Sequence, residues 1–184
     1  MNSPLNWLSL QNYLVLYSGC DLKWNDLVTY IVKKSSKRLY LLRILKRARA
    51  DNKTLVTVYL TCVRPILEYC AQVWHYDIPE YLSKDIERIQ LRALKIINPS
   101  SYNDALAAFN LPTLLSRREL LCSTFFKKKV LVQSSPLFQF IQLAEAHNYN
   151  LRASNKLVPY KCRTNRFRNS FIPSSIIQYN EQLN

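Results

Sequence analysis

The sequence predicts an all-α protein: a helical bundle around a central buried helix at about residues 54–74, with an irregular basic C-terminal tail. Three observations predict it. The stretch 54–74 reads TLVTVYLTCVRPILEYCAQVW, and at helical period its polar residues Thr57, Thr61, Arg64, Glu68 and Gln72 fall on one narrow line. A helix apolar over most of its circumference belongs at the centre of a domain. Second, Gly19 is the only glycine in 184 residues. Hairpin turns, phosphate-cradling loops and dinucleotide fingerprints all require glycine, so an all-β fold, a P-loop and a Rossmann domain are disfavoured together. Third, apolar residues recur at close to helical spacing in the stretches that flank the central one.

In chain order, residues 1–20 form an atypical N-terminal segment without a charged side chain. No Lys or Arg opens it, and Asn6, Ser9, Gln11 and Asn12 interrupt its apolar part, so it does not read as a secretory signal. A helix is expected from about Asn25 to Arg49, with Val28, Val32, Leu39, Leu42 and Leu45 facing inward. Asp51 is a natural N-cap for the central helix. Within that helix Arg64 and Glu68 can pair at four-residue spacing, and Pro65 predicts a kink. A third helix should span about Glu80 to Ile97, burying Leu82, Ile86, Ile89, Ala93, Ile96 and Ile97. Ser101 with Asp104 resembles a weak cap for a short helix over Tyr102–Phe109. A fifth helix is expected over roughly Thr113–Val132, with Leu114, Leu115, Leu121, Cys122 and Phe125 inward. Another short one is expected over Leu137–Ala146. From His147 onward no period is sustained. The composition therefore divides into residues 1–20, a helical domain over 21–146 and a basic tail over 147–184.

The formal net charge is +14, which points to a polyanion such as RNA or DNA, or otherwise to a solvated basic surface. Three groups are candidate nucleic-acid-binding residues. Lys33, Lys34, Lys37 and Arg38 cluster on the first helix, where like charges four residues apart cost helix stability unless an anion offsets them. Lys84, Arg88, Arg92 and Lys95 line one side of the third helix, although the neighbouring Asp85 and Glu87 also fit an ordinary solvated face. Arg163, Arg166 and Arg168 flank Phe167, an Arg and aromatic mixture suited to single-stranded nucleic acid, or else part of a disordered tail. Lys46, Arg47 and Arg49, and likewise Lys127, Lys128 and Lys129, complement the negative ends of their helices.

Catalytic patterns are missing. His75 and His147 are the only histidines, and neither stands at zinc-ligand spacing. The five cysteines (20, 62, 70, 122 and 162) include no CxxC pair, which favours buried thiols in an intracellular protein. No adjacent acidic pair could hold two divalent metals. No catalysis, metal or cofactor is therefore expected, and no stretch is long and apolar enough to span a bilayer.

The segments DLKWND (21–26), IVKKSSKRLYLLRILKRA (31–48), TVYLTCVRPILEYCAQVWH (57–75), DIERIQLRALKII (85–97), ALAAFNLPTLLSRRE (105–119) and NYNLR (148–152) together resemble the thumb and post-thumb region of non-LTR retrotransposon reverse transcriptases of the jockey-like kind. The resemblance implies a truncated fragment of an RNA-directed DNA polymerase whose palm, with its Tyr/Phe-x-Asp-Asp motif, is lacking. It further implies a role in holding a template–primer RNA–DNA hybrid, and a palm of a related polymerase as a further partner. The alternatives are a helical protein–protein interaction module and a relic of a mobile element.

Overall fold

The computed structural model describes residues 24–143 and 156–183, over which the protein is all-α. The expectations for residues 1–20, for Cys20, for His147 and for the NYNLR segment fall outside the described residues. Among the described residues, the extended pairing consists of an isolated antiparallel bridge between Leu143 and Leu157. The chain divides into two compact units, each built from two pieces of chain. Of the described residues, the first takes in 24–69 and 78–115, and the second takes in 70–77, 116–143 and 156–183. This division follows contacts rather than composition. It places residues 116–143 and the described part of 147–184 in the same unit.

Helix α1 spans Asn25–Arg47 and buries Leu27, Val28, Ile31, Ser35, Leu39 and Leu42. These recur at three- and four-residue steps, so they form one stripe. The expected inner residues Val32 and Leu45 are only half-buried, because the stripe is centred one position off them. The helix ends with Arg49 in the left-handed region at φ 60°. The Ala50 amide donates to the Leu45 carbonyl at 3.0 Å and the Arg49 amide to the Lys46 carbonyl at 3.1 Å. This is the Schellman closure, which glycine normally serves. Asn110 at φ 50° repeats it, with Leu111 donating to Leu106 at 2.9 Å and Asn110 to Ala107 at 3.2 Å. A chain almost without glycine thus reverses direction on an arginine and an asparagine.

Asp51 caps the next helix, α2 (Asn52–Val58), by accepting from the Thr54 amide at 3.3 Å and the Thr54 hydroxyl at 2.5 Å. Those two donors hold its carboxyl below the usual aspartate range. The stretch expected as one central helix is instead a series of pieces. After α2 comes a π-helical turn over Tyr59–Val63, then α3 (Arg64–Leu67), and then α4 (Ala71–Trp74). Pro65 is the physical reason for the first step. It has no N–H to offer Thr61, and its ring crowds that carbonyl, so the ladder widens just before it. The second break is at Cys70, left-handed at φ 50°, where the chain leaves the first unit. Inside the first unit the segment still contributes fully buried Leu55, Tyr59, Val63 and Leu67. Arg64 and Glu68 pair as expected, at 3.5 Å.

Helix α5 runs from Glu80 to Ile97 and packs along α1. It buries Leu82, Ile86, Ile89, Gln90, Ala93, Leu94 and Ile97, and Ile96 is half-buried. Lys46 on α1 donates to the Ile97 carbonyl at 2.8 Å and so closes the end of α5 as well as its own helix. Helix α6 (Tyr102–Ala108) starts at Ser101, whose side chain makes no capping bond. Buried Gln90 organises the polar contacts here. It accepts from the Tyr59 hydroxyl at 2.5 Å and donates to the Tyr102 hydroxyl and the Pro112 carbonyl, both at 3.0 Å. Tyr102 donates in turn to Glu87, which also accepts from the Leu114 amide at 3.2 Å. Burial raises both tyrosine pKa values, so the hydroxyls stay protonated donors.

The expected fifth helix is α7 (Leu114–Phe125), continued by a π-helical turn over Phe126–Val130. Leu114 and Cys122 are buried as expected, whereas Leu115 is 46% exposed. Over 137–143, the described part of the helix expected at 137–146, there is a single 3₁₀ turn at Phe138–Phe140, followed by extended chain through Leu143. The region read as an irregular tail contains α8 (Asn165–Arg168) and α9 (Phe171–Glu181). Its apolar residues Phe171, Ile172, Ile176 and Tyr179 do hold a helical spacing, over too few turns to stand out. They pack on Phe126, Val130, Ile141 and Leu157 to form the core of the second unit. Asn180 locks that core by exchanging both hydrogen bonds with the Leu157 backbone, at 2.8 and 3.0 Å.

The Arg49 conformation is testable against a matched control. Arg49→Gly should be more stable than Arg49→Ala by about 1 kcal/mol, since both remove the charge and only glycine is at ease at positive φ. Urea unfolding monitored by helicity measures this, and equal stabilities would rule out the left-handed closure.

Candidate nucleic-acid interface

The first candidate cluster lies on α1, opposite its buried stripe. Lys33 and Lys37 stand exposed one turn apart, while Lys34 and Arg38 lie half-buried along the edge. Residues four apart rise ~6 Å along the axis. The Lys34 ammonium sits 5.4 Å from the centroid of the Tyr30 ring, which fixes it beside the crest. Asp26 is the one acidic residue of α1, against seven Lys and Arg: 33, 34, 37, 38, 43, 46 and 47. The face therefore keeps its positive charge. Beyond Lys37 it continues into exposed Tyr40, Leu41 and Ile44, apolar side chains that period counting alone did not single out.

The stripe on α5 is different. Lys84 is held by Glu80 at 2.8 Å, and this contact keeps the Glu80 carboxyl below its usual range. Arg88 is held by Asp85 at 2.5 Å. Both pairs are solvent-exposed and contribute little stability. They nevertheless neutralise the N-terminal half of the stripe and leave Arg92 and Lys95 as its cations with no carboxylate paired to them among the described residues. The four residues share one face of α5, as expected, but not one field.

Arg163, Arg166 and Arg168 are all exposed and belong to the second unit. They are not in a featureless segment. Arg166 and Arg168 lie on α8, which Thr164 caps by accepting from the Phe167 amide at 3.2 Å. The α1, α5 and α8 groups thus belong to two separate units, the first two to one and the third to the other.

A buried arginine was not among the candidate residues. Arg118 on α7 is fully buried in the second unit. Its guanidinium carbon lies 5.8 Å from the Trp74 ring centroid, and its Nε donates to the His75 Nδ1 at 3.4 Å. Burial, and secondarily the Arg118 charge, pull the His75 pKa down to about 4, so the imidazole is a neutral acceptor at pH 7. Neighbouring Tyr76 donates to Gln178 at 2.8 Å and is raised by burial. The Cys122 thiol is likewise pushed up to about 12 by burial, which makes it an inert core group. Spacing in α7 could have shown Arg118 four residues before buried Cys122, but a charged residue on an inner face reads as an interruption. Among the described residues no three of His, Cys, Asp and Glu are grouped to hold a metal, and no helix is long and apolar enough to cross a membrane.

Residues 24–64 match the family model described as alkylated DNA repair protein alkB homolog 8, N-terminal. No curated protein and no solved structure matches the chain. The matched span contains the whole of α1 and runs through α2 into the start of α3. It corrects the resemblance to a reverse-transcriptase thumb, because the segment 31–48 on which that resemblance leaned is matched by a model of a different family. The retrotransposon origin and the template–primer role go with it. A basic amphipathic helix followed by an apolar one is a local pattern that unrelated helical proteins share, and that is how it misled.

The buried histidine predicts an acid sensitivity with a definite sign. His75 is neutral in the fold, with a pKa near 4 against 6.5 in the open chain, so the unfolded state binds more protons as pH falls. Its contribution is complete above pH 6.5 and is lost between 6.5 and 4, on the order of 3 kcal/mol. Urea midpoints at pH 7 and pH 5 should therefore converge in His75→Gln relative to the parent. An identical pH slope in both would exclude His75 as the group responsible.

Proposed function

We propose that this protein binds nucleic acid, without catalysing a reaction on it, through phosphate contacts made by the outer face of α1. The observation that carries the reading is the exposed pair Lys33 and Lys37, with Lys34 and Arg38 along its edge. No acidic side chain is ion-paired to any of the four among the described residues. Like charges one turn apart disfavour the helix that holds them, and a row of phosphates removes that cost. The overall charge of +14 supports a polyanion partner. The matched family model is named for a DNA repair protein, and its matched span includes this face. The α5 cations Arg92 and Lys95 are secondary contributors, since Lys84 and Arg88 are engaged by carboxylates.

The reading concerns the phosphate backbone and not base sequence, because α1 offers lysines and arginines without Asn or Gln beside them. Binding should therefore be insensitive to sequence and steep in salt. Roughly three to four phosphate contacts imply a log–log slope of about −3 for a duplex. Lys33→Glu combined with Lys37→Glu should weaken affinity for a short duplex at least about tenfold and flatten the slope by about 2. Both residues are exposed, so helicity should be unchanged. Unchanged affinity and slope in the folded double variant would remove the assignment.

A further inference from the structure

The second unit carries an open groove of about 680 Å³ that its fold does not explain. Its walls are almost wholly apolar and include Val73, Phe125, Phe140, Tyr160, Phe167 and Phe171. Phe140 and Phe167 are 46% and 45% exposed, so two phenyl rings face water within it. The rings are nonetheless held in place. Phe171 is wedged edge-on against Phe125 and Phe126, with centroids 5.7 and 6.4 Å apart. Tyr160 is fixed by its hydroxyl, which donates to the Phe140 carbonyl. Phe167 meets Tyr160 at 5.7 Å with ring planes 81° apart. Two rings at right angles form a corner in which a flat group can lay its face on one and its edge against the other. Phe167 lines the groove from within the segment 161–168, KCRTNRFR, which carries four cations and no acid.

We infer that this groove takes an unpaired base of single-stranded nucleic acid, with the adjoining phosphates on Arg163 and Arg168. The inference rests on the nucleic-acid reading above for the class of partner, but on different residues in the other unit. Aromatic rings with exposed cations next to them in the chain suit a single strand: every base has a π-face to stack, and every linkage carries a charge. The near absence of polar groups in the walls means that the groove accepts bases without choosing among them. Its rings are already ordered, so little is lost in fixing them on binding. An apolar peptide would leave the arginines unanswered. An anionic amphiphile would satisfy them once, at its head, whereas a strand passing along the open side meets them repeatedly.

The test uses the full chain, a short oligothymidylate and an abasic oligomer of equal length and charge, followed by fluorescence anisotropy. The parent should bind oligothymidylate about 10- to 100-fold more tightly than the abasic strand, the range that one stacked base supplies. Phe167→Ala, and independently Phe140→Ala, should abolish that preference while leaving abasic binding and helicity unchanged. Lys33→Glu with Lys37→Glu should weaken both strands alike and preserve the ratio. A parent that binds both strands equally, with a steep salt slope, overturns the inference and leaves the α1 reading intact. A base preference that survives both phenylalanine variants also overturns it. So does saturable oleate binding that requires Phe167 when no base preference is seen, since it assigns the groove to an amphiphile.

Discussion

The proline in the middle of the most apolar stretch sets the geometry of the first unit. A regular helix from Thr54 to Trp74 would rotate its apolar residues through every direction, and α1 and α5 could cover only some of them. By denying Thr61 a hydrogen-bond donor, Pro65 forces one wide turn over Tyr59–Val63, and the residues before and after it come into line. Tyr59, Val63, Ile66 and Leu67 then all reach the buried side. Tyr59 meets Gln90, and through Gln90 the loop after α6 is held to α5. The outward direction of Lys33 and Lys37 follows, since α1 is oriented by what it buries.

Long periodic stretches encode their own helices. The limits of α5 agree with expectation at both ends, α1 ends two residues early, and Asp51 caps α2 as its position before an apolar run implied. What escaped expectation was local and stereochemical. Nothing in the residue types marks Cys70 as left-handed, because Cys has no preference for that region, and without this break the stretch reads through to Trp74. The three-turn α9 segment fell below the length at which spacing becomes persuasive, so a packed element passed for a tail.

The candidate site was legible as charge and illegible as pairing. Lys33 and Lys84 look alike in a list of cations, yet among the described residues no carboxylate pairs with Lys33, while Lys84 is clasped by Glu80. A carboxylate four residues earlier decides the difference, and counting basic residues along a face passes over it. The aromatic corner was half visible, as Phe167 among arginines. Its other half, Phe140 and Tyr160, comes from residues whose meeting depends on the bridge between Leu143 and Leu157. Buried Arg118 shows the same limit from the other side: a charge that Trp74 and His75 accommodate gives no hint of it in their spacing.

Both units are discontinuous in the chain, and this bears on the order in which they can form. During synthesis residues 70–77 emerge with Trp74 well before Arg118 and α9 exist. The first unit is complete once Leu115 is made, and it can close around the strands of chain it already owns. Trp74 and its neighbours must wait as an unburied loop until the chain has been translated through Asn180, whose amide ties the far end to Leu157. The second unit is therefore the slower to mature, and until it closes the apolar Trp74 side chain stays exposed on the nascent protein.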